Sequence, residues 1–261
     1  MPSGIDTPLH ACGVDDDTGA SILFQEWVTS GERRSGLNPI SINTALRCVR
    51  AYLHWPKEEG HRSEIFKVQF LKEEQQILNT FSAEQVQAFL TYKPKGTNMT
   101  RAHMVVCLLL DTGIRISEAL GLKRKDIDME NMTMRVEGKG GKHRLVPFSC
   151  ELRKLLYRYF QKHTAGVVFA TQSGGEMTVR NLERDFKVLG KKVGITGVRM
   201  SPHTCRHSFA CEYPRRGGNL EFLRRILGHT SILTTQKYLR SLGVEDLQVV
   251  HNELSLLSAK R

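Results

Sequence analysis

The sequence predicts a mainly α protein with a small antiparallel β-sheet (α+β), divided into two domains. Apolar residues recur at spacings of three and four in most segments after residue 38, which is typical of amphipathic helices. Two short segments, MTMRVEG and HRLVPFS, are joined by KGGK and predict one β-hairpin. A length of 261 residues suits two domains.

The domain boundaries follow from changes in composition. Residues 1–20 are rich in Gly, Asp and Thr without periodicity, and we expect them to be acidic and disordered. A polar, charged stretch near residues 57–80 separates an abbreviated helical domain, residues 21–75, from a larger domain, residues 76–261. The tail, about 244–257, reads as a final amphipathic helix with an apolar stripe.

One helix of the smaller domain is well marked, in NPISINTALRCVRAYLHW. Its apolar residues recur with helical spacing at Ile42, Leu46, Val49 and Leu53. Asn38 or Ser41 is a suitable N-cap. Arg47 and Arg50 fall near the opposite face, where they are candidates for phosphate contacts. The simpler interpretation of isolated arginines is a solvated surface.

The larger domain contains a series of predicted helices. FSAEQVQAFL begins with a capping-box pattern of Ser82 and Gln85. RAHMVVCLLLDTG predicts a buried helix that ends at Gly113, and IRISEALGL resumes as a helix. Further helices are predicted for ELRKLLYRYFQKH, TVRNLERDFKVLGKKVG, HTCRHSFACEY, NLEFLRRILGH and SILTTQKYLR. Asn219 and Ser231 are suitable caps for the last two.

Composition and charge limit the classes of function. The net charge is +11, although the first 32 residues contain six acids and no Lys or Arg, so the positive excess is concentrated in the remainder. This favours a polyanionic partner, and the absence of a strongly amphipathic basic helix favours nucleic acid over a membrane. Without a secretion signal or CxxC pair, the six cysteines indicate reduced thiols in the cytoplasm.

A set of polar residues stands at helix starts and turns. In chain order they are Arg115, Lys139, His203, Arg206, His229 and Tyr238. Arginine forks bind phosphate oxygens and neutralise the charge that develops on pentacoordinate phosphorus. A tyrosine oxygen can act as a covalent nucleophile, with histidine and lysine transferring protons. These residue types suit phosphoryl transfer on a nucleic acid with no metal or other cofactor.

Taken singly, each of these residues has an ordinary interpretation. A tyrosine in a helix, such as Tyr238, is most often a packing residue, and KGGK is most often a tight turn. Zinc binding is an alternative for the segment HTCRHSFAC. Its candidate ligands are His203, Cys205, His207 and Cys211. The helical spacing argues against zinc, because Cys205 lies off the face that His203 shares with Arg206.

Four motifs in order carry a resemblance to a known family. TGIRISEALGL, GKGGKHRLVPF, HTCRHSFA and LGHTSILTTQKYL, spread over residues 82–242, resemble the tyrosine recombinases, or phage-type integrases. The resemblance implies that residues 76–261 form the catalytic domain and residues 21–75 a shortened core-binding domain. It implies Tyr238 as nucleophile, Arg115 and Arg206 as phosphate clamp, Lys139 as general acid and His203 as proton acceptor.

The resemblance also gives supporting roles to other residues. His229 becomes a hydrogen-bond donor to the phosphate, and Glu118, three residues after Arg115, orients the site. An ordinary helix carboxylate is the alternative interpretation of Glu118. The predicted DNA-binding residues are Arg47, Arg50, Lys142 and Arg144.

The resemblance implies a site-specific recombinase that cuts and rejoins double-stranded DNA through a 3′-phosphotyrosyl intermediate. We expect a homotetramer on DNA with a dimer at each site, possible roles for accessory proteins, no membrane partner and a cytoplasmic, nucleoid-associated location. The tail helix is expected to dock on a neighbouring subunit or on the subunit to which it belongs. Type IB topoisomerase-like relaxation and a DNA-binding protein with impaired catalysis are the alternatives.

Overall fold

The computed structural model describes residues 38–58, 68–72, 79–138, 140–171, 174–175, 177–241 and 243–254. Contacts between residues divide the chain into two units, Met1–Gln76 and Ile77–Arg261. The predicted disordered segment 1–20 lies outside the described residues. The assignments of residues 21–75 as a core-binding domain and 76–261 as a catalytic domain stay predictions.

The first unit is described for helix α1 (Pro39–Glu58) and for residues 68–72. The side chain of Asn38 accepts a hydrogen bond from the backbone N–H of Ile40 at 2.9 Å, which makes Asn38 the cap among the two predicted candidates. Ile42 and Leu46 are buried, as the helical spacing predicts. The predicted apolar face is therefore confirmed at these two positions.

A buried amide attaches the segment 68–72 to α1. Asn43 is 1% exposed, and its side chain donates to the carbonyl of Leu71 and accepts from the N–H of Leu71, both at 2.8 Å. These two hydrogen bonds satisfy the backbone N–H and carbonyl of Leu71 in the way that a neighbouring β-strand would. Beside it, the guanidinium groups of Arg47 and Arg50 each lie 5.9 Å from the ring centre of Phe70. Both arginines are exposed on α1.

Helices make up most of the described part of the second unit. They are α2 (Ala83–Thr91), α3 (Thr97–Thr112), α4 (Ile116–Leu120), α5 (Cys150–Phe160), α6 (Val179–Val193), α7 (Pro202–Arg215), α8 (Leu220–Leu227), α9 (Ile232–Gln236) and α10 (Val244–Leu254). Short 3₁₀ helices span Arg124–Asp126 and Lys237–Ser241. The capping box of Ser82 and Gln85 at the start of α2 is confirmed.

Helix α3 forms the centre of the second unit. Its residues 101–109 are all buried, and it contacts α5, α6 and α7. From residue 104 on, the apolar run predicts this burial, because a helix segment that is hydrophobic all round is typically buried. α3 ends at Gly113 in the left-handed conformation with φ 62°, as predicted. A Cβ at Gly113 would lie 2.2 Å from the ring of Phe209, so this position excludes any side chain.

The described sheet is antiparallel and has the strand order β1 (Ile127–Asp128), β2 (Thr133–Glu137) and β3 (His143–Pro147). β2 and β3 are the predicted hairpin, with Val136 opposite Arg144. β1 is an addition to the prediction. Val136 and Val146 are buried, whereas Leu145 is 68% exposed. Because side chains alternate along a strand, Arg144 faces the same side as Val146, toward the protein interior.

The C-terminal part differs from the prediction in one respect. The segment SILTTQKYLR is not a single α-helix, since α9 gives way to the 3₁₀ turn Lys237–Ser241. Asn219 and Ser231 cap α8 and α9, as predicted. α10 covers the predicted tail helix up to Leu254, and residues 255–257 lie outside the described residues. Val244, an apolar residue at the start of α10, is 80% exposed. No helix in the described residues is long and apolar enough to span a membrane.

Candidate active site

Arg115 is placed by the turn that separates α3 from α4. It occupies the N-cap of α4, and its backbone N–H donates to Oε2 of Glu118 at 2.7 Å. Its guanidinium donates to Oε1 of the same carboxylate at 3.0 Å, while the side chain stays 42% exposed. The predicted proximity of Glu118 to Arg115 is therefore present. The positive charge of Arg115 is held in place and remains accessible to a ligand.

The carboxylate of Glu118 is shared with a second arginine. Nη1 and Nη2 of Arg144 donate to its two oxygens at 2.9 and 2.8 Å. Burial alone would raise the pKa of Glu118, but the hydrogen bonds from Arg144 and Arg115 outweigh it and lower the pKa below its usual value. Glu118 is consequently ionised at neutral pH and only 8% exposed.

Arg206 is fixed by two backbone carbonyls. Its Nη1 donates to the carbonyl of Gly113 at 2.7 Å and its Nη2 to the carbonyl of Leu227 at 2.8 Å. These bonds connect α7 to the end of α3 and the end of α8. Burial, followed by the positive charge of Arg115, lowers the pKa of Arg206 to about 10, so the guanidinium remains charged at neutral pH. The structure thus brings both predicted clamp arginines to one place.

His229 lies beside Arg206 in a defined tautomer. Its Nε2 is 3.2 Å from Nη2 of Arg206, and its Nδ1 is 2.9 Å from Oγ1 of Thr235. Because a guanidinium only donates, Nε2 accepts, and Nδ1 carries the proton and donates to Thr235. Burial and the charge of Arg206 lower the pKa of His229 to about 4. The predicted donation from His229 to a phosphate stays a prediction, since Nε2 accepts in this arrangement.

Tyr238 packs in the 3₁₀ turn with little exposure to solvent. Its side chain is 6% exposed and belongs to a small buried cluster. The other members of the cluster are Ala210, Cys211, Leu223 and Leu227. Its ring centre lies 5.6 Å from that of His207 and 6.4 Å from that of His229. Burial raises the pKa of Tyr238, although the charges of Arg206 and Arg115 partly oppose this. The phenol is therefore protonated and covered, and the charges of both arginines reach it.

His203 and the cysteines have distinct environments in α7. His203 is exposed in the first turn, three residues before Arg206, as the helical spacing predicts. Cys205 is completely buried, and burial raises the pKa of its thiol. The zinc alternative gains no support, because no group of three His, Cys, Asp or Glu side chains converges as metal ligands among the described residues. Cys211 contacts Nε2 of His207 at 3.6 Å.

The hairpin turn brings Lys142 to the surface. Gly140 and Gly141 have φ of 76° and 71°, which suits the glycines of a tight turn, and the N–H of Gly138 donates to the carbonyl of Lys142 at 2.7 Å. Lys142 itself is exposed. Lys139, the predicted general acid, lies outside the described residues.

The four predicted DNA-binding residues fall into two groups. Arg47, Arg50 and Lys142 are exposed, and their contact with DNA stays a prediction. The side chain of Arg144 is 16% exposed and bound to Glu118, and its contact with DNA also stays a prediction. Thr235, which is completely buried, is a site residue that the sequence reasoning did not identify. A threonine six residues after a histidine has no pattern that singles it out.

The model of the phage integrase family matches residues 79–243, which is more than half of the chain and includes the residues from Arg115 to Tyr238 described above. The chain belongs to this family. The predicted family resemblance and the predicted enzyme class, a tyrosine recombinase or integrase, are confirmed.

Individual relatives agree with this assignment. Tyrosine recombinase XerA from Saccharolobus solfataricus is 34% identical over 233 residues, which cover 88% of this chain and 73% of the relative. Tyrosine recombinase XerC from Proteus mirabilis is 28% identical over 213 residues, or 78% of this chain and 69% of the relative. The similarity thus extends beyond the short motifs.

Solved structures show the same fold. The Tn1549 transposon integrase in complex with transposon right end DNA matches with a TM-score of 0.74 and 22% identity, covering 94% of this chain and 87% of that one. The XerH site-specific recombinase bound to palindromic difH substrate matches with a TM-score of 0.70 and 22% identity, covering 92% and 72%. The predicted fold class, mainly helical with a small antiparallel sheet, is confirmed.

Proposed function

We propose that this chain is a site-specific DNA recombinase that cuts and rejoins DNA through a covalent bond between Tyr238 and a 3′-phosphate. One observation carries the proposal: the charges of Arg115 and Arg206 act on one another and on the phenol of Tyr238, and Nη2 of Arg206 lies 3.2 Å from Nε2 of His229. Two fixed positive charges suit a phosphodiester whose negative charge grows during attack. Membership of the phage integrase family and the tyrosine recombinases among its relatives support the same reaction.

The reaction that we propose consists of two transesterifications. In the first, the oxygen of Tyr238 bonds to phosphorus, the 5′ oxygen leaves, and Lys139 protonates that oxygen. The proton of the phenol passes to His203, which is exposed in the first turn of α7. In the second, the free 5′ hydroxyl of another strand gives its proton to Lys139 and attacks phosphorus, the bond between phosphorus and the Tyr238 oxygen breaks, and His203 returns the proton to the phenol. A phosphodiester is thereby restored. Each step exchanges one phosphate ester for another, so no ATP is consumed.

The positive charges of the site make a metal ion unnecessary for this mechanism. Arg115 is anchored by Glu118 and Arg206 by two carbonyls, so both guanidinium groups are oriented before DNA arrives. A preoriented charge needs no reorganisation at the moment of reaction and stabilises the transition state accordingly. The neutral imidazole of His229 adds no repulsion between cations, because its pKa is about 4.

The buried phenol requires a conformational step before cleavage. Tyr238 is 6% exposed, and its turn Lys237–Ser241 is short and helical only in the 3₁₀ form. Runs of 3₁₀ helix have poorer hydrogen-bond geometry than α-helix and often mark hinges. We expect the turn to rearrange when DNA occupies the arginine pair, which would place the phenol oxygen in line with phosphorus.

Trapping of the covalent intermediate tests the proposal. In nicked duplexes from a random or genomic library, cleavage releases a short fragment that carries the 5′ hydroxyl. Because that hydroxyl can no longer attack the phosphotyrosine, the covalent adduct accumulates. Wild type should form the adduct, and sequencing of the attached DNA would identify the target site. Tyr238→Phe should form none, while Tyr213→Phe, a control at a partly buried tyrosine on α7, should behave as wild type. Failure of wild type to form any adduct would contradict the proposal.

A second assay separates recombination from relaxation. Once the target site is known, two duplexes of different length that both carry it report strand exchange directly. A recombinase produces duplexes of new length, whereas a topoisomerase-like enzyme relaxes supercoils and rejoins only the original strands. Recombination of this kind would require double-stranded DNA and a homotetramer, with a dimer at each site, in the cytoplasm on the nucleoid. Size measurement of the trapped complex tests the tetramer, and accessory proteins are tested by adding cell extract.

A further inference from the structure

Arg144 has its charged group on the inner side of the sheet. It follows the predicted DNA-binding turn, but it shares the inward face of β3 with the buried Val146. An arginine placed on this side must have partners, because an unpaired buried charge is strongly unfavourable. Each of its guanidinium nitrogens has one.

The partners of Arg144 belong to two separate parts of the site. Nη1 and Nη2 donate to the carboxylate of Glu118, which in turn holds Arg115. Nε donates to the carbonyl of Ile226 at 2.8 Å, near the end of α8. His229 lies three residues after that carbonyl. One planar guanidinium therefore connects the carboxylate behind the first clamp arginine with the turn that carries the histidine.

Gly228 accommodates this guanidinium closely. A Cβ at Gly228 would lie 3.0 Å from Cζ of Arg144, 3.1 Å from Nη1 and 3.2 Å from Nε. The glycine has φ 65° and ends α8. It therefore serves both as the left-handed cap and as the open space that the arginine requires. Larger residues at this position would push the guanidinium away from Ile226 or Glu118.

We propose that Arg144 is a positioning residue that sets Arg115 and the His229 turn relative to one another, and that joins the β2–β3 hairpin to both. This inference rests on the proposed function, because a positioning residue needs a reaction to position. It replaces the phosphate-contact role that the sequence predicts for Arg144. The two roles differ in their consequences: loss of a phosphate contact weakens DNA binding, whereas loss of positioning slows cleavage by enzyme already saturated with DNA.

Arg144→Gln tests this distinction in the full chain. The probe is the nicked duplex recovered with wild type, and the measurements are DNA affinity at several salt concentrations and adduct formation at saturating DNA. We expect adduct formation about 100-fold slower, since small displacements of reacting groups have effects of that size. Affinity and its salt dependence should stay unchanged. Arg135→Gln is the matched control, because Arg135 lies on β2, its side chain is 55% exposed, and it pairs with Asp126 at 2.9 Å.

A glycine pair provides a second test that retains the arginine. Gly228→Ala introduces a methyl group against Arg144, whereas Gly194→Ala introduces one at the left-handed end of α6, where a Cβ meets nothing within 4 Å. Both substitutions impose the same kind of backbone strain. We expect only Gly228→Ala to slow adduct formation beyond its effect on stability. Combined with Arg144→Gln, it should cause no additional slowing, because the group it displaces is already gone.

The outcomes distinguish the two proposals. If wild type forms no adduct, the proposed function fails and the role of Arg144 falls with it. If wild type is active and Arg144→Gln cleaves as fast as Arg135→Gln, the positioning role alone is overturned. It is also overturned if Arg144→Gln binds DNA more weakly, shows a salt dependence of affinity reduced by about one phosphate contact, and cleaves normally at saturating DNA. Should Arg144→Gln not fold, equal cleavage rates for Gly228→Ala and Gly194→Ala would overturn it.

Discussion

The acid–base behaviour of His229 gives a quantitative prediction about the free protein. A pKa of about 4 for its imidazole, against an ordinary value of about 6.5, corresponds to about 3 kcal/mol in favour of the neutral ring. The ring is only partly buried, and solvent screening reduces this to about 2 kcal/mol. The physical cause is burial, followed by the guanidinium of Arg206 at 3.2 Å from Nε2.

The sign of the effect on stability follows from proton uptake. Above pH 6.5 the ring is neutral in both the folded and the unfolded chain. Below that pH the unfolded chain binds a proton that the folded chain rejects, so the free energy of unfolding falls as the pH is lowered toward 4. Below the folded pKa both states are protonated, and this contribution stops changing. His229 should therefore destabilise the fold on acidification between about pH 6.5 and 4.

Urea unfolding of wild type and His229→Gln at pH 7 and pH 4.5 measures this contribution. The loss of stability on acidification should be about 2 kcal/mol smaller in the variant, because the other acid-sensitive groups cancel in the comparison. An NMR titration of the imidazole signal that disappears in the variant should give a midpoint near 4. A midpoint near that of a free histidine would show that the ring is neither buried nor faced by Arg206 in this way, and would refute the arrangement described for the site.

Three further predictions concern other groups. Arg115→Ala and Arg206→Ala should each slow adduct formation by about 10²–10³-fold, since each removes a charged contact to the transition state; near-normal rates in either would contradict the clamp. Lys139→Ala should be slow with an ordinary nicked substrate and recover with a 5′-thio leaving group, which needs little protonation; no recovery would count against the acid role. Asn43→Ala should lower the free energy of unfolding by about 2 kcal/mol in urea titrations, because it leaves the backbone groups of Leu71 unpaired; a change under about 0.5 kcal/mol would show that water replaces the amide.

Local signals in the sequence account well for the helices of the second unit. The end of α3 at Gly113 and the caps Ser82, Asn219 and Ser231 depend on neighbouring residues only, and all were predicted. The 3₁₀ turn at Tyr238 was not. Over five residues, periods of 3.0 and 3.6 place side chains too similarly to be told apart. β1 has two residues, which is too short for any alternation to appear.

The site was predicted where a motif fixes the environment of a residue and missed where a distant partner does. Arg115 and Glu118 are close because they are three apart at a helix start, which the sequence shows directly. The partner of Arg144 lies 26 residues away, and no spacing rule relates the two. Its alternation with Val146 was the available signal, since that placed Arg144 on the buried side of its strand.

Gly113 has a consequence for how the two arginines are spaced. Its carbonyl receives the hydrogen bond of Arg206 at 2.7 Å, and Arg115 follows it by two peptide bonds. The positions of both guanidinium groups therefore depend on the backbone of one small residue. Since the ring of Phe209 fills the space where a methyl group would stand, any substitution there would disturb both charges together. The spacing of the two arginines thus depends on a residue without a side chain that could take part in the reaction.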